Sequence, residues 1–217
     1  MNVLHVCANP KPISESASKQ LAAAFFTKLA EINPDVNVTN ADLYQNPPPY
    51  LSYDAYRYMW YPIFQEGYKQ TEAEKKAMEY CKVQTTLLRD ADILVITMPM
   101  WSCGIPAILK AWIDQIMAPN STFSYDAQGP KRLHALRKAI LLVSSGSVLK
   151  ENDPNDALSV QINAVMNYIG VMDVAFAWAD GQDPILHHDG APRKNLALEA
   201  AQELADDLAE MAASSPV

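Results

Sequence analysis

Residues 93–114 read Ile-Leu-Val-Ile-Thr-Met-Pro-Met-Trp-Ser-Cys-Gly-Ile-Pro-Ala-Ile-Leu-Lys-Ala-Trp-Ile-Asp. The apolar run at 93–98 reads as a strand. It breaks at Pro99, presents Trp101 and several backbone N–H groups, and gives way at Pro106 to a helix, where a proline's fixed φ suits the first turn. An α/β sheet builds its ligand crevice at such a place, where a strand's carboxyl end turns into a helix. No acid, base or metal ligand dominates the turn, so the chemistry expected there is that of a bound planar cofactor.

Working outward, residues 3–8 read as a strand and 16–32 as an amphipathic helix with Leu21, Phe25, Leu29 and Ile32 on one face. A short strand follows at 36–39, then a helix at 71–89 opened by a capping box, Thr71 with Glu74. The helix from Pro106 to Met117 carries Ile105, Ile108, Leu109, Trp112, Ile113 and Ile116 on one broad apolar face. A strand at 139–144, a helix at 156–169 closed by Gly170, a strand at 172–178 and a helix at 193–213 complete the chain. Alternation of this kind calls for a parallel sheet covered on both faces with right-handed crossovers. The expectation is an α/β flavodoxin-like three-layer sandwich whose five-stranded parallel sheet has the order 2-1-3-4-5. At 217 residues and 49% hydrophobic content the chain fits a single domain, 1–217. Residues 43–70 interrupt the pattern with prolines and a dense set of aromatics, among them Tyr50, Tyr53, Trp60 and Phe64, and read as a long loop serving as a lid or a dimer contact.

A net charge of -8, with 17 basic residues largely scattered, argues against a nucleic-acid partner. Three widely spaced cysteines, Cys7, Cys81 and Cys103, suggest neither a disulfide framework nor a zinc site, and a reducing cytoplasm is the expected location. The apolar segment at 3–8 is too short to span a membrane, so no integral membrane association is expected.

Three loops carry the candidate chemistry. The first, 9–18, places Ser14, Ser16 and Ser18 at a helix start, where unpaired N–H groups and hydroxyls suit a phosphate; simple N-caps are the bland alternative. It has no glycine, so neither the G-x-G-x-x-G fingerprint nor a P-loop is present. At the second, 99–104, Trp101 can pack on a ring and the N–H groups of Ser102 and Cys103 can read ring carbonyls; a turn with a core Trp is the alternative. Cys103 has no neighbouring His and reads as a small buried hydrophobe. The third is Ser144-Ser145-Gly146-Ser147. A doubly wound topology brings all three to one sheet edge. His187 and His188 lie in a loop beyond the last strand, within possible reach of a substrate. No carboxylate pair or metal-spaced set is present, and no metal is expected.

The 99–114 stretch, followed by Ser121-Thr122-Phe123-Ser124-Tyr125 and Gln128-Gly129-Pro130, resembles the FMN-dependent NADH:quinone oxidoreductase and azoreductase family, within the flavodoxin-like NAD(P)H quinone reductases. The resemblance covers the sheet scaffold and leaves 43–68 unplaced. It implies that Ser16, Ala17 and Ser18, with Asn9, hold an FMN phosphate. Pro99, Met100, Trp101, Ser102 and Cys103 would line the ring and ribityl chain, with Ser144, Ser145, Gly146 and Ser147 at the ring's polar edge. Phe123 and Tyr125 would face the substrate; apart from the resemblance, Trp60 of the aromatic segment and His187 are further candidate substrate contacts. The family often has Asn-Phe at Ser102-Cys103, Gly-Gly at Gly146-Ser147 and Ser at Asn9. The implied activity is two-electron ping-pong reduction of quinones or azo compounds by NADH or NADPH, catalysed by the flavin with no catalytic side chain. A homodimer is also implied, and the oily face of the 106–117 helix would suit it. A flavodoxin-type electron carrier and an ancillary quinone reductase of a membrane transporter are the alternatives.

Overall fold

The computed structural model describes residues 1–150 and 152–213. Five parallel strands form the main sheet: β1 (Asn2–Cys7), β2 (Asn37–Asp42), β3 (Ile93–Pro99), β6 (Lys138–Ser144) and β7 (Asp173–Ala179). Their order is β2-β1-β3-β6-β7, the expected 2-1-3-4-5 once the strands of this sheet are counted alone. The strand order reverses between β1 and β3, which is the topological switch point of a doubly wound fold.

Alternation along the central strands divides the core. Ile93 and Val95 of β3, with Ile140 and Leu142 of β6, join Leu21, Phe25 and Leu29 of α1 (Ala17–Ile32) and Ala201, Ala205 and Leu208 of α7 (Gly190–Ala213). Leu94, Ile96, Leu141 and Val143 point the other way, into Leu88 of α4 (Glu79–Asp90), Leu109, Trp112 and Ile116 of α5 (Ala107–Ile116), and Ile162 and Met166 of α6 (Ala157–Tyr168). A one-residue slip would exchange the two sets, so the pattern fixes the register. At the end of α6, Gly170 sits at φ 84°. Its N–H reaches Asn167 O and that of Val171 reaches Met166 O, the paired bonds of a Schellman cap.

Several expectations need correction. The 71–89 helix is two helices, α3 (Glu72–Ala77) and α4, separated by Met78 at φ -94°, ψ 2°. The turn lets α3 pack on the preceding helix while α4 follows the sheet. Residues 43–70 are not a structureless loop, because they contain α2 (Tyr53–Phe64), capped by Ser52 and carrying Pro62 inside it. A small apolar cluster, Ala55, Met59, Met78, Cys81 and Ala118, and several polar tethers hold this segment. Buried Glu74 completes the capping box with Thr71, accepts from Tyr68 Oη at 2.6 Å and pairs with Arg57 Nε at 3.0 Å; the Tyr68 hydrogen bond leads in holding its carboxyl below the usual range. Gln115 Nε2 donates to Pro49 O at 2.9 Å. The apolar face of α5, expected to meet a second subunit, is consumed by the chain's own core, with Trp112 and Ile116 fully buried. A hairpin also went unforeseen, β4 (Phe123–Asp126) with β5 (Gly129–Arg132).

Candidate functional site

Register brings the three loops together. Cys7 of β1 lies beside Thr97 of β3, which lies beside Leu142 of β6. Ladder-like bonds continue past the strands: Ala8 N–H to Thr97 O at 2.8 Å, Met100 N–H to Ser144 O at 2.7 Å, and Ser145 N–H to Ala179 O at 3.0 Å. The loops therefore leave one edge at nearly one level and enclose a cavity of about 540 Å³, within the ~300–1,000 Å³ usual for small-molecule sites. Its walls include Asn9, Ser16, Ala17, Pro99, Met100, Trp101, Ser144, Ser145 and Gly146.

At one end Asn9 organises the serines. Its amide donates to Ser16 Oγ at 2.8 Å and to Ser18 Oγ at 3.0 Å, while its carbonyl oxygen accepts from Lys11 N–H at 3.0 Å. Ser16, the N-cap of α1, also accepts from Lys19 N–H at 3.1 Å. With two bonds already received, its own O–H is the group left to give: to Ser18 Oγ, 3.4 Å away, or to an anion. The N–H groups of Ala17 and Ser18 begin the helix and have no partner within it. A surplus of donors at the positive end of a helix dipole fits a phosphate, which only accepts. Ser18 itself is fully buried, and its side chain braces Asn9 from behind instead of lining the cavity.

At the second loop the chain makes a two-residue turn. Trp101 and Gly104 exchange N–H···O bonds of 3.0 Å in both directions, and Ser102 and Cys103 take φ 49° and 64°. A type I′ turn needs two left-handed residues and favours Asn and Gly, so Ser and Cys hold this conformation at a cost of roughly 1–2 kcal/mol each. The turn lifts Trp101, 40% exposed, to the rim. Ser102 and Cys103 sit at its tip, outside the cavity wall, and Cys103 is exposed rather than buried. Burial pushes the Cys7 thiol up and that of Cys81 to about 12, so neither supplies a thiolate.

The third loop is braced by the loop after β7. Gln182 N–H reaches Ser145 O at 3.0 Å and Asp183 N–H reaches Gly146 O at 3.1 Å. A Cβ on Gly146 would lie 3.3 Å from Asp183 Cβ, so that position favours a residue without one. Ser145 Oγ donates to Ser147 O at 2.8 Å and accepts from Trp178 Nε1 at 2.9 Å. Ser147 thus contributes a carbonyl to this bracing and stands outside the wall.

Four residues expected to face substrate do not line this cavity. Phe123 is buried, edge-on to Tyr125 and Tyr168, and the Tyr125 hydroxyl meets that of Tyr168. Both rings anchor the β4–β5 hairpin. Trp60 stacks on Phe64 in the 43–70 segment. His187 Nε2 accepts from Val148 N–H at 3.4 Å, tying two loops together. Lys11, Ser14, Glu15, Gln20, Gln182, Asp183, Pro184 and Lys194 complete the wall; of these the sequence had singled out only Ser14.

A larger groove of about 740 Å³ runs between α1 and β2, lined by Phe26, Val36, Val38 and His5 among others. Both nitrogens of His5 are already engaged, by Asn40 and Thr97. Its lining is mostly apolar, whereas the smaller cavity gathers Asn9 and the serine hydroxyls, so donor chemistry rather than size selects the smaller cavity.

A family model described as a flavodoxin-like fold matches residues 1–205. The FMN-dependent NADH:quinone oxidoreductase 2 of Hahella chejuensis (strain KCTC 2396) is 32% identical over 198 residues, covering 89% of this chain and 95% of the relative. Among solved structures, the azoreductase AzrA has a TM-score of 0.85 at 26% identity, covering 95% of this chain and all (100%) of its own. The azoreductase from Bacillus anthracis str. Sterne matches equally well, with TM-score 0.85 at 27% identity over 95% of this chain and 99% of that one. With its fold, its crevice and these relatives in agreement, the chain belongs to the FMN-dependent NADH:quinone oxidoreductase family of flavodoxin-like proteins.

Proposed function

We propose that this chain is an FMN-dependent NAD(P)H oxidoreductase that reduces quinones and azo compounds. The observation that carries the reading is the convergence of three strand-end loops, rich in donors and small residues, on one cavity at the switch point. Bound FMN would supply the redox chemistry, accepting hydride from a reduced nicotinamide and then delivering two electrons to the acceptor. The chain's own work is binding and orientation. The Ser16 O–H and the first N–H groups of α1 would hold the phosphate. Pro99 to Trp101 would flank the ring system, and Ser144 to Gly146, fixed by Gln182 and Asp183, would lie along its polar edge. The Trp101–Gly104 turn forms the rim against which donor and acceptor would stack in succession.

A second copy of the chain would close the open side. Tyr50, Tyr53 and Phe64 remain exposed on the 43–70 segment at 85%, 64% and 65%, and an apolar surface of this kind suits a partner. No helix among the described residues is long and apolar enough to cross a membrane, and the working form proposed is a cytoplasmic homodimer.

Incubation with FMN followed by assay with NADH and menadione tests the reading. A yellow protein that oxidises NADH without an added reductase is expected; a flavodoxin-type carrier would need one. Native mass spectrometry should give two chains with two FMN. Failure to take up flavin, together with no menadione-dependent NADH oxidation, would contradict the proposal.

A further inference from the structure

Of the residues in the cavity wall, Lys194 is the most distant in sequence from the loops that define the site. It lies in the first turns of α7, yet it reaches the same cavity as Ser16, Ala17 and Gln20 of the first loop and α1. The ion pair between Lys28 and Asp206, at 3.2 Å, sets the register of α1 against α7. Each helix follows a strand of the one parallel sheet, α1 after β1 and α7 after β7, and both pack on the same face, so they run in the same direction. Twelve residues back from that pair, α1 has reached Ser16 and α7 has reached Lys194. The lysine is thus level with the N-cap of α1 and lines the same cavity as the serine donors.

Its neighbours leave its charge uncommitted. Arg193 takes the nearby acids, pairing with Asp180 at 3.1 Å and with Asp189 at 2.8 Å. Among the described residues no carboxylate pairs with Lys194. The cavity wall carries two carboxylates, Glu15 and Asp183, and two ammonium groups, Lys11 and Lys194. Asp183 belongs to the Gly146 end, where its N–H reaches Gly146 O and its Oδ1 accepts from Ile185 N–H at 2.8 Å. A helix start with one free hydroxyl offers good geometry but only partial charge to a dianion, and a full positive charge at the same level supplies the rest.

We infer that Lys194 is a cofactor-binding residue directed at the FMN phosphate, delivered by α7 to the N-terminus of α1, and that it makes the site prefer FMN to unphosphorylated riboflavin. This rests on the FMN reading above and adds to it a source of charge outside the three loops.

Equilibrium titrations of the full-length protein with FMN and with riboflavin, followed by quenching of flavin fluorescence, test the inference. The variants are Lys194→Gln, Lys194→Arg and, as a control for net charge, Lys76→Gln on the exposed side of α3. Lys194→Gln is expected to weaken FMN about tenfold, equivalent to ~1.4 kcal/mol, while riboflavin affinity stays within about twofold. Lys194→Arg should keep most of the FMN affinity, and Lys76→Gln should change neither ligand. Phosphorus NMR of the bound cofactor gives a second readout: the phosphate should take up its proton at higher pH in Lys194→Gln than in the unaltered protein. Equal losses for both flavins, or no loss for either, would overturn the role of Lys194 and leave the FMN reading standing. An unaltered protein that binds neither flavin would overturn the FMN reading itself.

Discussion

In the central sheet, neighbours such as Leu94 and Val95 enter opposite cores, and the alternation of side chains along each strand is enough to place them. Residues 43–78 are held differently. Arg57, Tyr68 and Glu74 meet through bonds of 2.6 to 3.1 Å, Arg57 lies over the rings of Tyr53, Tyr61 and Tyr68, and Gln115 reaches across 66 positions to Pro49. Order in the sheet comes from a large area removed from water, whereas order in the insertion combines a small apolar cluster, Ala55, Met59, Met78, Cys81 and Ala118, with a few directed polar contacts. The sheet should therefore dominate global stability, and the insertion should open on its own.

Trp112→Ala strikes the sheet's packing most directly, since it removes a fully buried ring and strands the Gln84 amide oxygen that accepts from Trp112 Nε1 at 2.8 Å. A loss of about 3–5 kcal/mol is expected in urea unfolding of the sheet. Ser16→Ala removes the cap of α1; about 0.5–2 kcal/mol should be lost, and FMN should bind more weakly. An unchanged FMN affinity would separate the cap from the site.

Acid should come next. His5 and His134 are each held below the ordinary value of 6.5, chiefly by burial. The unfolded chain takes up these protons near pH 6.5 and the native chain only at lower pH, so stability should fall as pH drops through 6.5. Urea midpoints at pH 7.5 and 5.5 measure this, and His134→Gln should flatten the slope. Glu74→Gln is expected to have the smallest global effect. Its mark should be faster proteolytic cleavage within 53–78 while the global midpoint moves less than in Ser16→Ala. A global collapse instead would mean that the insertion and the sheet form one cooperative unit.

The same contrast explains what the sequence could tell. Strand order and the three loops were readable because hydrophobic period, N-caps and turn residues act over a few positions. The helical character of 53–64 was hidden behind Pro62 and the tyrosines, and its tethers come from residues far apart in the chain. Amphipathicity identified the buried face of α5 but could not say against what it is buried. Phe123 is a substrate candidate by resemblance alone, and its packing in the hairpin against Tyr168, 45 positions away, is nothing a local pattern could show. Gln182, Asp183 and Lys194 became wall residues only through contacts that tertiary structure creates.

Hydrogen–deuterium exchange with and without FMN tests the central claim most directly. Protection should appear in the 9–20, 99–104 and 144–147 segments, extend to 182–184, and be absent from 34–46, the β2 side of the groove between α1 and β2. Protection confined to that larger groove, or no protection in any of the three loops at saturating FMN, would contradict the account.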